Sequence, residues 1–178
     1  MFGGLFKRKQ ADETPKASGI TVFLLQDRLE RFTNEQLTRA MQAAWHRPYD
    51  PVTFFSKTLG DEGAVIKMNA TYYPIIHRDD RLTSEELGER EIPSWADHRA
   101  TSNISAKFPG GIPNDLLPQS YWILGVLVAE LASASTRALY FQEAGVFVPL
   151  TSTVVARMKM PQEYLPEQLL SCSASSVI

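Results

Sequence analysis

From Ser120 to Val148 the chain runs Ser-Tyr-Trp-Ile-Leu-Gly-Val-Leu-Val-Ala-Glu-Leu-Ala-Ser-Ala-Ser-Thr-Arg and then Ala-Leu-Tyr-Phe-Gln-Glu-Ala-Gly-Val-Phe-Val. A long apolar helix is followed at once by an apolar strand, a glycine turn and a second short strand, and every other segment must find its place against this unit. At about 100° per residue, Leu124, Leu127, Val128 and Leu131 form one broad face with Tyr121 at its edge. Gln119, Trp122, Val126, Glu130 and Ser133 form a narrower stripe on the opposite side. A helix apolar nearly all round is either a membrane span or a core element. This run is shorter than the roughly 20 residues a span needs and it contains Glu130, so the reading is a core helix with no transmembrane segment. Trp122 and Val126 are unusual on the more polar stripe. With Glu130 they are the candidate interaction residues, unless the chain covers the stripe itself with Arg78 to Asp97 or the C-terminal segment around Tyr164 and Leu165.

A length of 178 residues suits one domain with a real core and is short for two. The net charge of −2, and the lack of a basic run interleaved with aromatics, argue against a nucleic-acid partner. The single Cys172 excludes an internal disulfide framework and suits a reducing compartment. At the N-terminus the basic residues follow the apolar ones, the reverse of an export signal, so the expected location is cytoplasmic. Phe2, Leu5 and Phe6 beside Lys7, Arg8 and Lys9 can make weak contact with an anionic membrane. At about 1 kcal/mol per basic residue that contact does not anchor the chain by itself. The expected organisation is a flexible leader over 1–18, one domain over 19–170 and a flexible Ser-rich tail over 171–178 that includes Cys172.

Ile20 to Leu25 is apolar on both alternating faces, as in a central strand covered on both sides. Thr33-Asn-Glu-Gln36 is a capping box, and behind it Leu37, Ala40, Met41, Ala44 and Trp45 share one helical face. Pro48 and Pro51 stop that helix. Val52 to Ser56 reads as a short strand and Gly60 to Gly63 as a turn. Ala64 to Thr71 alternates as one strand of a hairpin, and Tyr72 to Ile76 extends the sheet around Pro74. Arg78 to Asp97 is rich in charge and reads as a solvated excursion. His98 to Lys107 alternates again, with one wet side. Pro109-Gly-Gly111 is a loop, the hairpin after the long helix turns at Glu143-Ala-Gly145, and a short helix starts at Thr151 or Ser152 and ends at Pro161. Strand, helix, several strands, helix and strand make an α+β fold. The expected form is a mainly antiparallel sheet with two main helices on one face, in a ferredoxin-like split βαβ arrangement with extensions.

The apolar first strand, the helix ending near Trp45, the segment Trp95 to Ala100, the long helix, and the strand Ala138-Leu-Tyr-Phe with Gly145 in its turn carry a resemblance. Over residues 20–170 the chain resembles a bacterial family known only as domain-of-unknown-function family four-two-six-one. The resemblance implies an α+β fold and a cytoplasmic bacterial protein, and it brings no catalytic residues. Family members continue past a segment like Leu165 to Leu170 with further strands, where this sequence runs Ser-Cys-Ser-Ala-Ser-Ser-Val-Ile. The expectation is a smaller sheet or an edge covered by something else.

His77, Asp79, Asp80 and His98 include metal-ligand types, but His77-Arg-Asp-Asp matches no ligand spacing and arginines stand among the carboxylates. No metal or cofactor is expected. There is no Gly-x-Ser-x-Gly, Cys172 has no His nearby, and Phe108-Pro-Gly-Gly-Ile lacks the Lys of a phosphate loop. Asp97 and His98 are adjacent on an extended segment and point to opposite faces, which spoils acid–base cooperation. With no catalytic constellation complete, the sequence favours a non-enzymatic domain that binds another protein or itself, in the manner of immunity or defence proteins. The rival is a small-molecule-binding or enzymatic domain with a pocket lined by Trp95, His98, Tyr72 and Tyr73. A deep pocket converging on His98 favours the rival, and a flat apolar patch favours the interaction domain.

Overall fold

The computed structural model describes residues 17–45 and 50–174. The expected leader lies outside the described residues as far as residue 16, and with it the membrane contact expected of Phe2, Leu5, Phe6 and Lys7 to Lys9. In chain order the elements are β1 (Ala17–Gln26), α1 (Asn34–Trp45), β2 (Phe54–Thr58), β3 (Gly63–Met68), β4 (Thr71–Arg78) and α2 (Ser84–Leu87). They continue with β5 (Ala100–Ile112), α3 (Leu117–Leu131), β6 (Thr136–Phe141), β7 (Val146–Pro149), α4 (Ser152–Lys159) and α5 (Pro166–Ala174). The fold is α+β. The seven strands of the described residues form one sheet in the order β2–β3–β4–β5–β1–β6–β7, antiparallel at every pairing.

β1 lies between β5 and β6, and its two faces are buried against different neighbours. Ile20, Val22 and Leu24 join Leu37 and Met41 of α1, Leu124, Leu127 and Val128 of α3, Met158 of α4 and Leu169 of α5 in one continuous core. Each fully buried side chain of this kind contributes about 1.5–3 kcal/mol by leaving water. Phe23 and Leu25 point the other way, into a smaller cluster with Ala138, Tyr140 and Phe147. α1 starts as its capping box dictates. The Thr33 amide donates to Gln36 Oε1 at 2.8 Å and the Gln36 amide donates to Thr33 Oγ1 at 3.2 Å.

Arg78 to Asp97 is more than a solvated excursion. It closes over the smaller cluster, burying Leu82 and Ala96 with Leu87 and Ile92 packed beside them. A second capping box, Thr83 with Glu86, starts α2. The excursion is docked by the Glu86 carbonyl, which accepts from Tyr140 Oη and Gln142 Nε2 at 3.3 Å each. The Arg90 guanidinium covers the space where a Cβ at Gly145 would stand.

Several boundaries differ from the sequence reading. β1 already starts at Ala17, inside the expected leader, and β5 runs through Pro109-Gly-Gly111, expected as a loop, to Ile112. The helix of the central unit ends at Leu131, six residues before Arg137. Ser133 and Thr136 take over the local amides: the Ser133 amide donates to Thr136 Oγ1 and the Ser135 amide to Ser133 Oγ, both at 3.2 Å. Hydroxyl side chains that bond nearby backbone compete with helix in this way. The strand read over Ala64 to Thr71 turns back after Met68, through Asn69 at φ 56°, so that Met68 faces Thr71 across the hairpin. α5 continues to Ala174, so Cys172 lies in a helix, its Sγ 3.6 Å from the Gln168 carbonyl.

Candidate functional site

The excursion covers only the β1–β6–β7 part of its face of the sheet. Over β2, β3 and β4 no described segment covers that face, and the register sets its residues in rows. Phe55 stands opposite Lys67, and Lys67 opposite Tyr72; Lys57 is opposite Val65, and Val65 opposite Pro74. Ile76 faces Asn103, which faces Phe23 where the excursion begins to cover the sheet. Strand residues alternate between faces, and Phe54, Ala64, Ile66, Met68, Tyr73 and Ile75 enter the main core, so these side chains point away from it. Tyr72 and Ile76 are each 50% exposed, although their neighbours Tyr73 and Ile75 on the same strand are buried.

Charge on this bare face has one sign. Lys57, Lys67 and Lys107 point outward, and no carboxylate stands among the outward residues of β2 to β5. Lys67 Nζ lies 5.1 Å from the Tyr72 ring centroid and 5.8 Å from that of Phe55, and it donates to the Val52 carbonyl at 2.7 Å. The two rings and the lysine stem therefore hold one another flat against the strands. The outer edge of β2 is partly blocked by its own chain. Asp50 pairs with Phe54 through both backbone bonds, and Asn34 Oδ1 accepts from the Thr58 amide at 2.9 Å. Edge-to-edge strand addition is thus hindered, while the face stays open.

Trp122, Val126 and Glu130 lie on a seam within the chain. Val126 is buried in the main core, and Trp122 is half-buried and packed against it, with its indole nitrogen unpartnered among the described residues. Glu130 is bracketed by Lys159 of α4, at 2.7 Å, and Arg39 of α1, at 3.9 Å. Tyr164 comes down on Gly125 next to Val126, so the C-terminal segment also packs on α3. Ser133 falls beyond the helix and is not part of the stripe.

Trp95, His98, Tyr72 and Tyr73 do not gather round one pocket. Trp95 is exposed on the excursion, and Tyr72 stands on the bare face. Tyr73 points to the opposite face and lines a separate apolar cavity. His98 borders a polar cleft of about 300 Å³ with Asp27, Asp97, Arg99 and Arg137. Both of its ring nitrogens are committed: Nδ1 donates to the Ala96 carbonyl at 2.9 Å, and Nε2 accepts from the Leu82 amide at 3.1 Å. Burial, with Arg81 nearby, holds its pKa below the usual histidine range, against opposing contributions from the Ala96 carbonyl and Asp97. A neutral ring locked at both nitrogens pins the excursion to β5 and has no lone pair free for proton transfer. Around the cleft, Asp27 is paired with Arg137, and Asp97 with Arg81.

His77 turns into the core, where it meets Ser102 Oγ at 2.8 Å through Nδ1, and Ser102 donates to Gln26 Oε1 at 3.2 Å. The edge of Phe32 packs on its ring at 4.9 Å. Asp79 and Asp80 are exposed, and among the described residues no three His, Cys, Asp or Glu side chains converge as a metal site. No helix of the described residues is long and apolar enough to cross a membrane. No family model matches the sequence, and neither a curated protein nor a solved structure matches it significantly. Sequence reasoning passed over Phe55, Lys67 and Ile76. Their alternation was visible, but nothing local distinguishes an outward apolar residue that is covered from one left bare.

Proposed function

We propose that the chain is a non-enzymatic protein-interaction domain whose contact surface is the bare face over β2, β3 and β4. The observation that carries this is the pair Tyr72 and Ile76, half exposed on a sheet face that the same chain covers elsewhere with a dedicated segment. Exposed apolar patches flanked by polar residues mark interaction sites, and aromatic anchors are enriched at their centres. The three outward lysines favour a partner of another sequence that carries acidic residues beside apolar ones. A second copy would bring lysines to lysines.

The order β4–β5–β1–β6, antiparallel throughout, supports a ferredoxin-like split βαβ reading, with β2–β3 and β7 as extensions at the two edges. Membership of α1 and α3 in one cluster with Val22 and Leu24 supports two main helices on one face. The resemblance to the bacterial family rests on these same apolar patterns. A cytoplasmic setting of immunity or defence type suits a domain that acts by binding.

The test uses the full chain as bait in a cell extract, beside Ile76→Asp and Tyr72→Ser. A captured protein is then purified and titrated. The expected result is at least a tenfold loss of affinity for Ile76→Asp, a smaller loss for Tyr72→Ser, and weakening of the wild-type complex by salt, with thermal unfolding little changed. A partner that binds Ile76→Asp as tightly as wild type overturns the proposal. A dimer in light scattering that Ile76→Asp dissolves would assign the face to self-association instead.

A further inference from the structure

A second feature lies at the end of the main core, on the opposite face of the sheet. Trp45 closes α1 there, β3 turns into β4 at Asn69, β5 ends at Ile112, and Leu116 leads into α3. Between them is a cavity of about 180 Å³ lined by Trp45, Met68, Tyr73, Ile112, Leu116 and Ile123, with Asn69, Gln119 and Ser120 among its polar lining. None of the described residues lining it is charged. Ser120 Oγ is committed to the Leu116 carbonyl at 2.9 Å. Leu116 remains 46% exposed, an apolar lip that the chain leaves uncovered.

Tyr73 supplies the independent sign of a ligand. Its side chain is 4% exposed, yet no described residue accepts from its hydroxyl, and burial is the sole cause that lifts its pKa to about 12. It is therefore a neutral donor across the physiological range. The hydroxyl oxygen is not sealed off with the unpartnered buried polar atoms; it opens onto the cavity, where water can serve it. A bound molecule that offers an acceptor takes the place of that water. Apolar cavities of about 150 Å³ take up a benzene-sized guest, so the space here suits one ring with a small substituent. The described walls offer an ionised guest no charged partner.

We propose that this cavity binds a small uncharged aromatic or alicyclic molecule carrying one hydrogen-bond acceptor, with Trp45 and Ile123 against the ring and the Tyr73 hydroxyl donating to the acceptor. The site is independent of the bare sheet face and does not require a protein partner.

The test titrates acetophenone, ethylbenzene and benzoate into the full chain and into Tyr73→Phe, following the indole N–H signal of Trp45 by NMR. Trp95→Phe and Trp122→Phe identify that signal. Acetophenone shifts it saturably, and Tyr73→Phe weakens acetophenone roughly three- to tenfold, the range expected of one neutral hydrogen bond. Ethylbenzene binds both forms equally, and benzoate binds at least tenfold more weakly than acetophenone. Ser120→Leu, which fills the cavity from α3, abolishes the shift in a protein whose thermal unfolding is otherwise retained. The proposal is overturned if neither neutral probe shifts Trp45 saturably, if acetophenone binds Tyr73→Phe as well as wild type, or if benzoate binds as tightly as acetophenone.

Discussion

Replacing Gly125 by alanine sets two effects of opposite sign against each other, and the structure decides which prevails. In a helix interior the substitution gains about 1 kcal/mol of intrinsic propensity. At this position, however, the new Cβ would overlap the Tyr164 hydroxyl oxygen and stand 2.9 Å from Tyr164 Cζ, with Met158 Cγ at an ordinary 3.6 Å. Tyr164 is 1% exposed and packed between α3 and the C-terminal helices, so it has little room to withdraw. Overpacking of this kind costs about 1–3 kcal/mol, and the upper part of the range applies when an atom must be displaced outright. The net expectation for Gly125→Ala is a destabilisation of about 1–2 kcal/mol, despite the better helix former.

The second variant tests the cause. Tyr164 Oη is buried with no partner among the described residues, so Tyr164→Phe removes an unsatisfied polar atom and is expected to be neutral or slightly stabilising. In the double variant the remaining Cβ–Cζ approach of 2.9 Å needs a shift of only several tenths of an ångström, and the propensity gain survives. The double variant should therefore be at least about 1 kcal/mol more stable than Gly125→Ala alone, a clear departure from additivity between touching residues. Urea unfolding followed by circular dichroism measures all four proteins. A Gly125→Ala protein as stable as wild type, or strictly additive effects in the double variant, would refute the placement of Tyr164 on α3.

Leu127 is fully buried between α3 and the sheet, so Leu127→Ala should cost about 2–5 kcal/mol in chemical denaturation. Glu130→Ala, which removes pairings to Lys159 and Arg39 at the rim, should cost under about 1 kcal/mol, and equal effects would mean the faces of α3 are misassigned. His98 and His77 both titrate below the normal histidine range because they are buried, with Arg81 near the first and Arg31 near the second. The neutral rings are the native forms, and the unfolded chain takes up protons first. Stability is thus full above about pH 6.5 and falls as the pH drops below that value towards the lowered native values. His98→Asn should flatten this acid limb of the stability curve, and an unchanged pH dependence would show that His98 stays neutral for no energetic reason. The same variant should loosen the excursion, seen as faster amide exchange at Leu82, because Nε2 is the acceptor for that amide.

Periodicity and local chemistry were enough to place most elements. The Thr33–Gln36 box starts α1 because both bonds lie within three residues. The two-faced apolar run from Ile20 to Leu25 marks a central strand because each face must meet its own cover. The all-round apolar character of Leu124 to Leu131 put α3 in the core before any neighbour was known. The helix end after Leu131 was written in Ser133, Ser135 and Thr136, but hydroxyl side chains bond either within a helix or against it, and only the strand that follows settles which.

What lies opposite each face was not legible, because contacts between distant segments leave no local periodicity. Val65, Tyr72 and Ile76 alternate just as Phe23 and Leu25 do. Phe23 and Leu25 are covered because His98 and the Glu86 carbonyl pin the excursion over β1 and β6, and the same segment does not reach β3 and β4. Glu130 stood on a stripe that either the chain itself or a partner could cover, and Lys159, nearly thirty residues further on, closes it. Tyr72 and Tyr73 share the pocket of the rival reading, yet the pleat of β4 sends one to the bare face and the other to the cavity beside Trp45. The sequence by itself determined which residues share a face. Only the tertiary structure decided which faces are covered, because covering a face depends on the reach and anchoring of segments far away along the chain.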